Sequence, residues 1–179
     1  MIKNLFSVVI PAYSEEENIN NLLVEIEETF KDGVDFEVIL VDDGSPVPLH
    51  SVIKKSEYNI NIEIVTNKYN LGQSKSIEIG IKKSNGNVIG LIDADCQNPP
   101  QELKKLYDFY NSNSYDAVIS YRKNRKDDFL RKIVSRLANL ILKFFTKSKF
   151  KDLGSSLKVI KRECLESLTF KGDMHRFIS

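Results

Sequence analysis

The sequence predicts an α/β fold in a single domain: a mostly parallel sheet flanked by helices. Three observations predict it. Five short apolar runs rich in β-branched residues recur along the chain, as buried parallel strands should. Amphipathic helical patterns separate them, and strand alternating with helix means βαβ units. The length, 179 residues, suits one domain with a proper core and not two.

The predicted strands are Leu5–Ile10 (LFSVVI), Phe36–Val41 (FEVILV), Ile60–Val65 (INIEIV), Val88–Ile92 (VIGLI) and Ala117–Ile119 within YDAVISY. After the first, Ile19, Leu22, Leu23, Ile26 and Phe30 share one face of a helix. Ser14 followed by Glu17 reads as a capping box at its start. Pro99-Pro100 opens another helix, QELKKLYDFYN, where a missing N–H costs least. There is no internal repeat and no low-complexity linker.

Hydrophobic residues make up 41% and charged residues 28%, an ordinary soluble composition. Cys96 and Cys164 are far apart without CxxC spacing, against a disulfide framework or a zinc site and in favour of a reducing cytoplasm. The N-terminus lacks the cleavage region of a signal peptide. No stretch has the ~18 apolar residues of a membrane span. The net charge of +1 is unevenly spread: Arg122 to Lys151 carries +9 and the remainder −8. Such a segment is either a solvated basic helix or the binding face for an anionic partner: phosphate, nucleic acid or membrane surface.

Ligands of open parallel sheets bind beyond the carboxyl ends of the strands. The segments found there are PAYSEEE, DDGSP, NKYNLGQS, DADCQNPP and YRKNR, all polar. In extended chain, alternate side chains point the same way. Asp93, Asp95 and Gln97 therefore converge on one point if the fourth strand runs on through them. Three oxygen donors without His or Cys suit a hard cation, Mg²⁺ or Mn²⁺, that leaves open positions for substrate phosphates. A polar turn with incidental acids is the plain alternative. Asp42 and Asp43 form a second strand-end pair, able to accept from a base N–H or ribose hydroxyls; DGSP is also good turn chemistry. GxGxxG after the first strand and GxxxxGK[ST] are both absent, which disfavours a nicotinamide dehydrogenase and a P-loop NTPase.

In DDFLRKIVSRLANLILKFF an apolar stripe runs through Leu130, Ile133, Val134, Leu137, Ile141, Phe144 and Phe145. Arg131, Ser135 and Asn139 follow at i, i+4 and i+8. Arg and Ser one turn apart can share a phosphate. The stripe fits a core; with Lys143, Lys147, Lys149 and Lys151 nearby it also fits an interfacial helix on an anionic bilayer.

Taken in order, SVVIPAYSEEENI, VDDGS, YNLGQS, DADCQNPP, YRKNRKDDFLRKIVSRLAN and GDMHRF resemble the inverting glycosyltransferases of family 2, with the GT-A fold. The likeness is strongest to the polyprenyl-phosphate glycosyltransferases, the dolichyl-phosphate mannose synthases and their undecaprenyl-phosphate relatives. It covers essentially the whole chain. The resemblance implies one catalytic domain over residues 1–179. It implies that Pro11, Tyr13, Glu15, Asp43, Asp93 and Asp95 bind the donor nucleotide. Asp93, Asp95 and Gln97 would hold Mg²⁺ or Mn²⁺, and Arg122, Arg131 and Ser135 the acceptor lipid phosphate. Asp95, Asp152 and Arg122 are the implied catalytic set. Asp152 stands in a departure from the family pattern, Asp152-Leu-Gly-Ser-Ser, and would organise the acceptor side. The implied partners are a nucleotide-diphosphate sugar, a polyprenyl phosphate and a membrane surface, with no nucleic acid. The implied location is cytoplasmic, peripheral at the inner face of the membrane. Cys96 replaces the usual Leu and is expected to pack. Relatives run on past HRFIP into further catalytic sequence and usually membrane helices, so a chain ending at GDMHRFIS is expected to be a truncated or minimal form. His175 and Arg176 would reach the donor diphosphate or the acceptor, or belong to a frayed terminus.

Three alternatives stand beside this. One keeps the fold and changes the acceptor to a glycan or protein. A sugar-1-phosphate nucleotidyltransferase would need a glycine-rich loop after the first strand, and PAYSEEEN has none. A nucleotide-sugar or membrane-surface binding module without turnover is the third, and the metal-ligand pattern speaks against it.

Overall fold

The strands and helices follow from the periodicities. In a computed structural model, residues 5–120 and 156–166 are described. In chain order they form β1 (Phe6–Ala12), α1 (Ile19–Phe30), β2 (Phe36–Asp42), α2 (Leu49–Val52), a short 3₁₀ turn (Lys55–Glu57), β3 (Asn61–Thr66), α3 (Gln73–Lys83), β4 (Val88–Leu91), α4 (Pro100–Asn111), β5 (Ala117–Ile119), β6 (Lys158–Lys161) and a final short helix, Arg162–Glu166. The sheet order is β3-β2-β1-β4-β6-β5. Pairing is parallel from β3 through β2 and β1 to β4. β6 enters antiparallel between β4 and β5. The fold is therefore the expected α/β class: parallel through four strands, with β6 antiparallel to its two neighbours.

Every residue of β1 is buried, because the strand is central and covered on both faces. Successive side chains point to opposite faces. Phe6, Val8, Ile10 and Ala12 pack with Leu22, Leu23, Ile26 and Phe30 of α1 and Leu103 and Tyr107 of α4. Val9 packs on the other face with Ile77 and Ile81 of α3, Ile39, Val41 and Ile89. The Phe6 ring bridges the first layer, 5.5 Å from Phe30 and 4.3 Å from Tyr107.

Two helix starts test the capping expectations. α4 begins at Pro100 with Pro99 before it, as the double proline predicts. α1 begins at Ile19 with Asn18 at its cap and no side-chain capping bond, so the Ser14/Glu17 capping box is corrected. The physical reason lies in Ser14, whose φ of 56° bends the chain there. Its N–H donates to Ser45 Oγ at 3.0 Å instead of starting a helix.

At the amino ends of the strands, away from the ligand edge, lies a buried polar knot. Glu37 accepts from Ser7 Oγ at 2.7 Å, from the Asn85 N–H, and from Asn85 Nδ2 at 3.0 Å. Arg162 then covers the end of α3, donating to the carbonyls of Ile81, Ser84 and Gly86. This ties β6 to the core. Burial would push the Glu37 carboxyl up, but the donors from Asn85, Ser7 and Gly86 together outweigh it and hold it below its ordinary value of 4.5. A depressed folded value means stability that is present above the unfolded value and lost as pH falls through the folded one. Glu37→Ala is accordingly expected to cost about 1–2 kcal/mol at pH 7, because the buried Ser7 hydroxyl loses a charged acceptor while the exposed Asn85 can turn to water. Urea denaturation should show that gap shrinking as pH drops below about 4.5. A gap that stays constant down to pH 3 would refute this account of Glu37.

Candidate functional site

The carboxyl ends of β1, β2 and β4 open on one cavity of about 310 Å³. Pro11, Ala12, Tyr13 and Glu15 line it from the end of β1, Asp43 from β2, and Asp93, Ala94 and Asp95 from β4. Six of the residues named from the sequence, Pro11, Tyr13, Glu15, Asp43, Asp93 and Asp95, are thus brought together around one space. Asn70, Gly72, Gln73 and Ser76 complete the lining. The sequence does not single out these four, although NKYNLGQS reads as a strand-end segment. The glycine in YNLGQS is the available signal: Gly72 lies at φ 89°, which few other residues adopt.

The two acids after β2 divide their work. Asp42 is fully buried, and its oxygens accept from the N–H groups of Ser45 (3.0 Å) and Leu49 (2.9 Å). It shapes the DGSP turn. Asp43 faces the cavity while accepting from Asn67 Nδ2 at 2.8 Å, Leu71 N–H at 3.0 Å and Gly72 N–H at 2.8 Å. A carboxylate offers about four acceptor positions. Three serve the loop that follows β3, which leaves about one for a ligand donor.

The DADCQ segment differs from expectation. β4 ends at Leu91, so the extended alternation does not run through residues 93–97. A turn replaces it: the Gln97 N–H donates to Asp95 Oδ1 at 3.0 Å, and Cys96 takes φ 55°. Asp93 and Asp95 still both line the cavity, but Gln97 is exposed and not part of the lining. Convergence of all three by strand alternation is therefore corrected to two carboxylates presented by a strand end and a turn. Cys96 is exposed rather than packed, its Sγ 3.7 Å from the Asn18 carbonyl.

The donor chemistry of this edge still fits a hard divalent cation. Asp93 and Asp95 are half-buried carboxylates, with no thiolate or imidazole among the cavity's lining residues. Mg²⁺-type ions are commonly held by one or two carboxylates, with substrate phosphates completing the shell. Among the described residues there is no group of three His, Cys, Asp or Glu side chains arranged to hold a metal alone. The site fits a cation that arrives with a phosphate-bearing ligand. Arg122, Arg131, Ser135, Asp152, His175 and Arg176 lie outside the described residues. Among the described residues no helix is long and apolar enough to cross a membrane.

Comparison with known proteins agrees with this architecture. A dodecaprenyl-phosphate galacturonate synthase of Rhizobium johnstonii is 32% identical over 178 residues, 96% of this chain and 52% of the relative. An undecaprenyl-phosphate 4-deoxy-4-formamido-L-arabinose transferase of Pectobacterium atrosepticum is 37% identical over 173 residues, 93% of this chain and 51% of the relative. The chain spans about half the length of the curated relatives it matches. Among solved structures, glucosyl-3-phosphoglycerate synthase of Mycobacterium tuberculosis, in complex with Mn²⁺, uridine diphosphate and glucosyl-3-phosphoglycerate, superposes with a TM-score of 0.73 at 21% identity, covering 93% of this chain and 60% of that one. A Pyrobaculum calidifontis mannosyltransferase in complex with GDP-mannose and Mn²⁺ gives 0.66 at 19% identity, over 90% of this chain and 45% of that one. At these identities the structures establish the fold. The profile of glycosyl transferase family 2 matches residues 7–169, and the chain belongs to that family.

Proposed function

We propose that the chain supplies the donor-binding core of an inverting, metal-dependent glycosyltransferase that moves a sugar from a nucleoside diphosphate to a polyprenyl phosphate at a membrane surface. The observation that carries this is the single cavity in which Asp43 and the β1 edge face Asp93 and Asp95. On one side Asp43 offers an acceptor for a nucleoside donor group. The other has two carboxylates for the cation, Mg²⁺ or Mn²⁺, that accompanies a diphosphate. The lipid acceptor is supported by the names of the curated relatives.

In this reading Pro11, Tyr13, Glu15 and Asp43 hold the base and ribose. Asp93 and Asp95 hold the cation, which when bound offsets the charge that develops on the departing diphosphate. Gln97 remains a proposed third ligand only through a rearrangement of its turn. Arg122, Arg131 and Ser135 hold the acceptor phosphate, and Asp152 organises the acceptor side. A phosphate oxygen is already ionised near pH 7, its second pKa being about 6. It needs orientation more than a strong base. Its attack forms the bond to the anomeric carbon from one side as the bond to the diphosphate oxygen breaks on the other, so the centre inverts. The nucleoside diphosphate carries away the electron pair.

A thermal-shift panel of UDP, GDP and CDP with Mn²⁺ tests the donor side. One of them is expected to raise the melting temperature, since a ligand that binds only the native state stabilises it. No rise with any of the three would count decisively against the enzyme. On the acceptor side, Arg131→Ala is expected to leave nucleotide binding within about twofold of wild type. Transfer to polyprenyl phosphate should fall about 100-fold or more, the size of a lost charged hydrogen bond to phosphate. Normal transfer by that variant would show the acceptor assignment to be wrong.

A further inference from the structure

The start of α3 is tied to both sides of the cavity. The Gly72 N–H donates to Asp43 Oδ2 at 2.8 Å, and the next residue, Gln73, donates from Nε2 to Asp93 Oδ1 at 2.7 Å. Asp43 follows β2 and Asp93 follows β4, with β1 between those strands in the sheet. Two successive residues thus link carboxylates that approach from opposite sides of a central strand. Gly72 has φ 89° and ψ 153°, a region essentially reserved for glycine. No atom stands within 4 Å of where its Cβ would be, so conformation rather than crowding requires glycine there. That backbone sets the point from which the Gln73 side chain starts.

A carboxylate can only accept, so it is the NH₂ edge of the Gln73 amide that meets Asp93. Both side chains line the cavity. Asp93 lies beyond the last ladder residue of β4. A ligand-holding carboxylate is normally oriented by an outer hydrogen bond of this kind. Resting on the function proposed above, we infer that Gln73 is a positioning residue: it holds the Asp93 carboxylate turned toward the space where the cation of the donor diphosphate binds.

The experiment uses the full chain, Gln73→Ala and Gln73→Asn. The second keeps the amide but is one methylene shorter, about 1.5 Å, too short to keep the contact without backbone movement. Three quantities are read with whichever of UDP, GDP or CDP stabilises the wild type. They are Mn²⁺ affinity in the presence of the nucleotide, with free Mn²⁺ counted by its electron spin resonance; nucleotide affinity without metal; and the melting temperature. Both variants are expected to bind Mn²⁺ about 10–100-fold more weakly. The other two quantities should stay unchanged, affinity within about twofold. Wild-type Mn²⁺ affinity in Gln73→Ala, beside a responsive wild type, overturns the inference alone. Parallel loss of Mn²⁺ affinity, metal-free nucleotide affinity and melting temperature also overturns it, because Gln73 would then be supporting the fold. A wild type without any Mn²⁺-dependent nucleotide binding overturns the proposed function and this inference together.

Discussion

Asp95→Ala is expected to abolish Mn²⁺-dependent nucleoside diphosphate binding, with affinity in the presence of metal falling at least about 100-fold, or about 2.7 kcal/mol. Asp95 is one of two carboxylates that the cavity presents at the end of β4. Removing it leaves Asp93 as the remaining acid on that side, and a hard dication held by one carboxylate loses much of its attraction to the site. The fold should survive. Asp95 accepts one turn-closing hydrogen bond, from the Gln97 N–H, and losing it costs about 1 kcal/mol. Asp95→Asn separates the two roles, since the amide oxygen can still close the turn while the charge is gone. It should unfold like wild type and lose the metal response almost as completely as alanine. Calorimetric titration with and without Mn²⁺ reads both variants. If Asp95→Asn keeps its metal response, charge at this position is not what the site uses.

Gly44→Ala should damage both stability and nucleotide binding, with or without metal. Gly44 follows Asp43 with φ 74°, where an L side chain costs about 1–2 kcal/mol. An added Cβ would also stand 2.6 Å from the Tyr69 carbonyl carbon and 2.9 Å from the Asn70 nitrogen. These are backbone atoms and cannot swing aside as the end of a flexible side chain could. The segment displaced is the one Asp43 holds through Asn67, Leu71 and Gly72, and Asn70 and Gly72 line the cavity. Strain and overpacking together should cost about 2–4 kcal/mol. Gly33 provides the control. It has φ 81° but nothing within 4 Å of a built Cβ, so Gly33→Ala should show strain alone and unaltered nucleotide affinity. Urea denaturation and metal-free titration of the two variants should differ clearly; identical behaviour would mean that the Tyr69–Asn70 contact does not support the site.

Local periodicity accounts for most of the strands and helices, and it is legible in the order of residues. Five apolar runs form β1 to β5 within a residue or two, and the stripe from Ile19 to Phe30 forms the buried face of α1. Ligand edges in such sheets follow the strand ends, which singles out Asp43, Asp93 and Asp95, while Pro11, Tyr13 and Glu15 come from the family resemblance. Other features arise from contacts between distant segments. β6 is written KVIK, two apolar residues between lysines, too short to show a period. It exists because β4 and β5 offer it antiparallel partners. Gln97 does not line the cavity because the turn at Asp95 breaks the alternation that strand geometry would have continued. Asn70 and Gly72 join the cavity because Asp43, distant in sequence, pulls their loop in with hydrogen bonds, and Gln73 and Ser76 follow at the start of α3. Periodicity is a property of neighbours along the chain and can be read there. Which carboxylate captures which loop depends on distances that exist only once the sheet has formed.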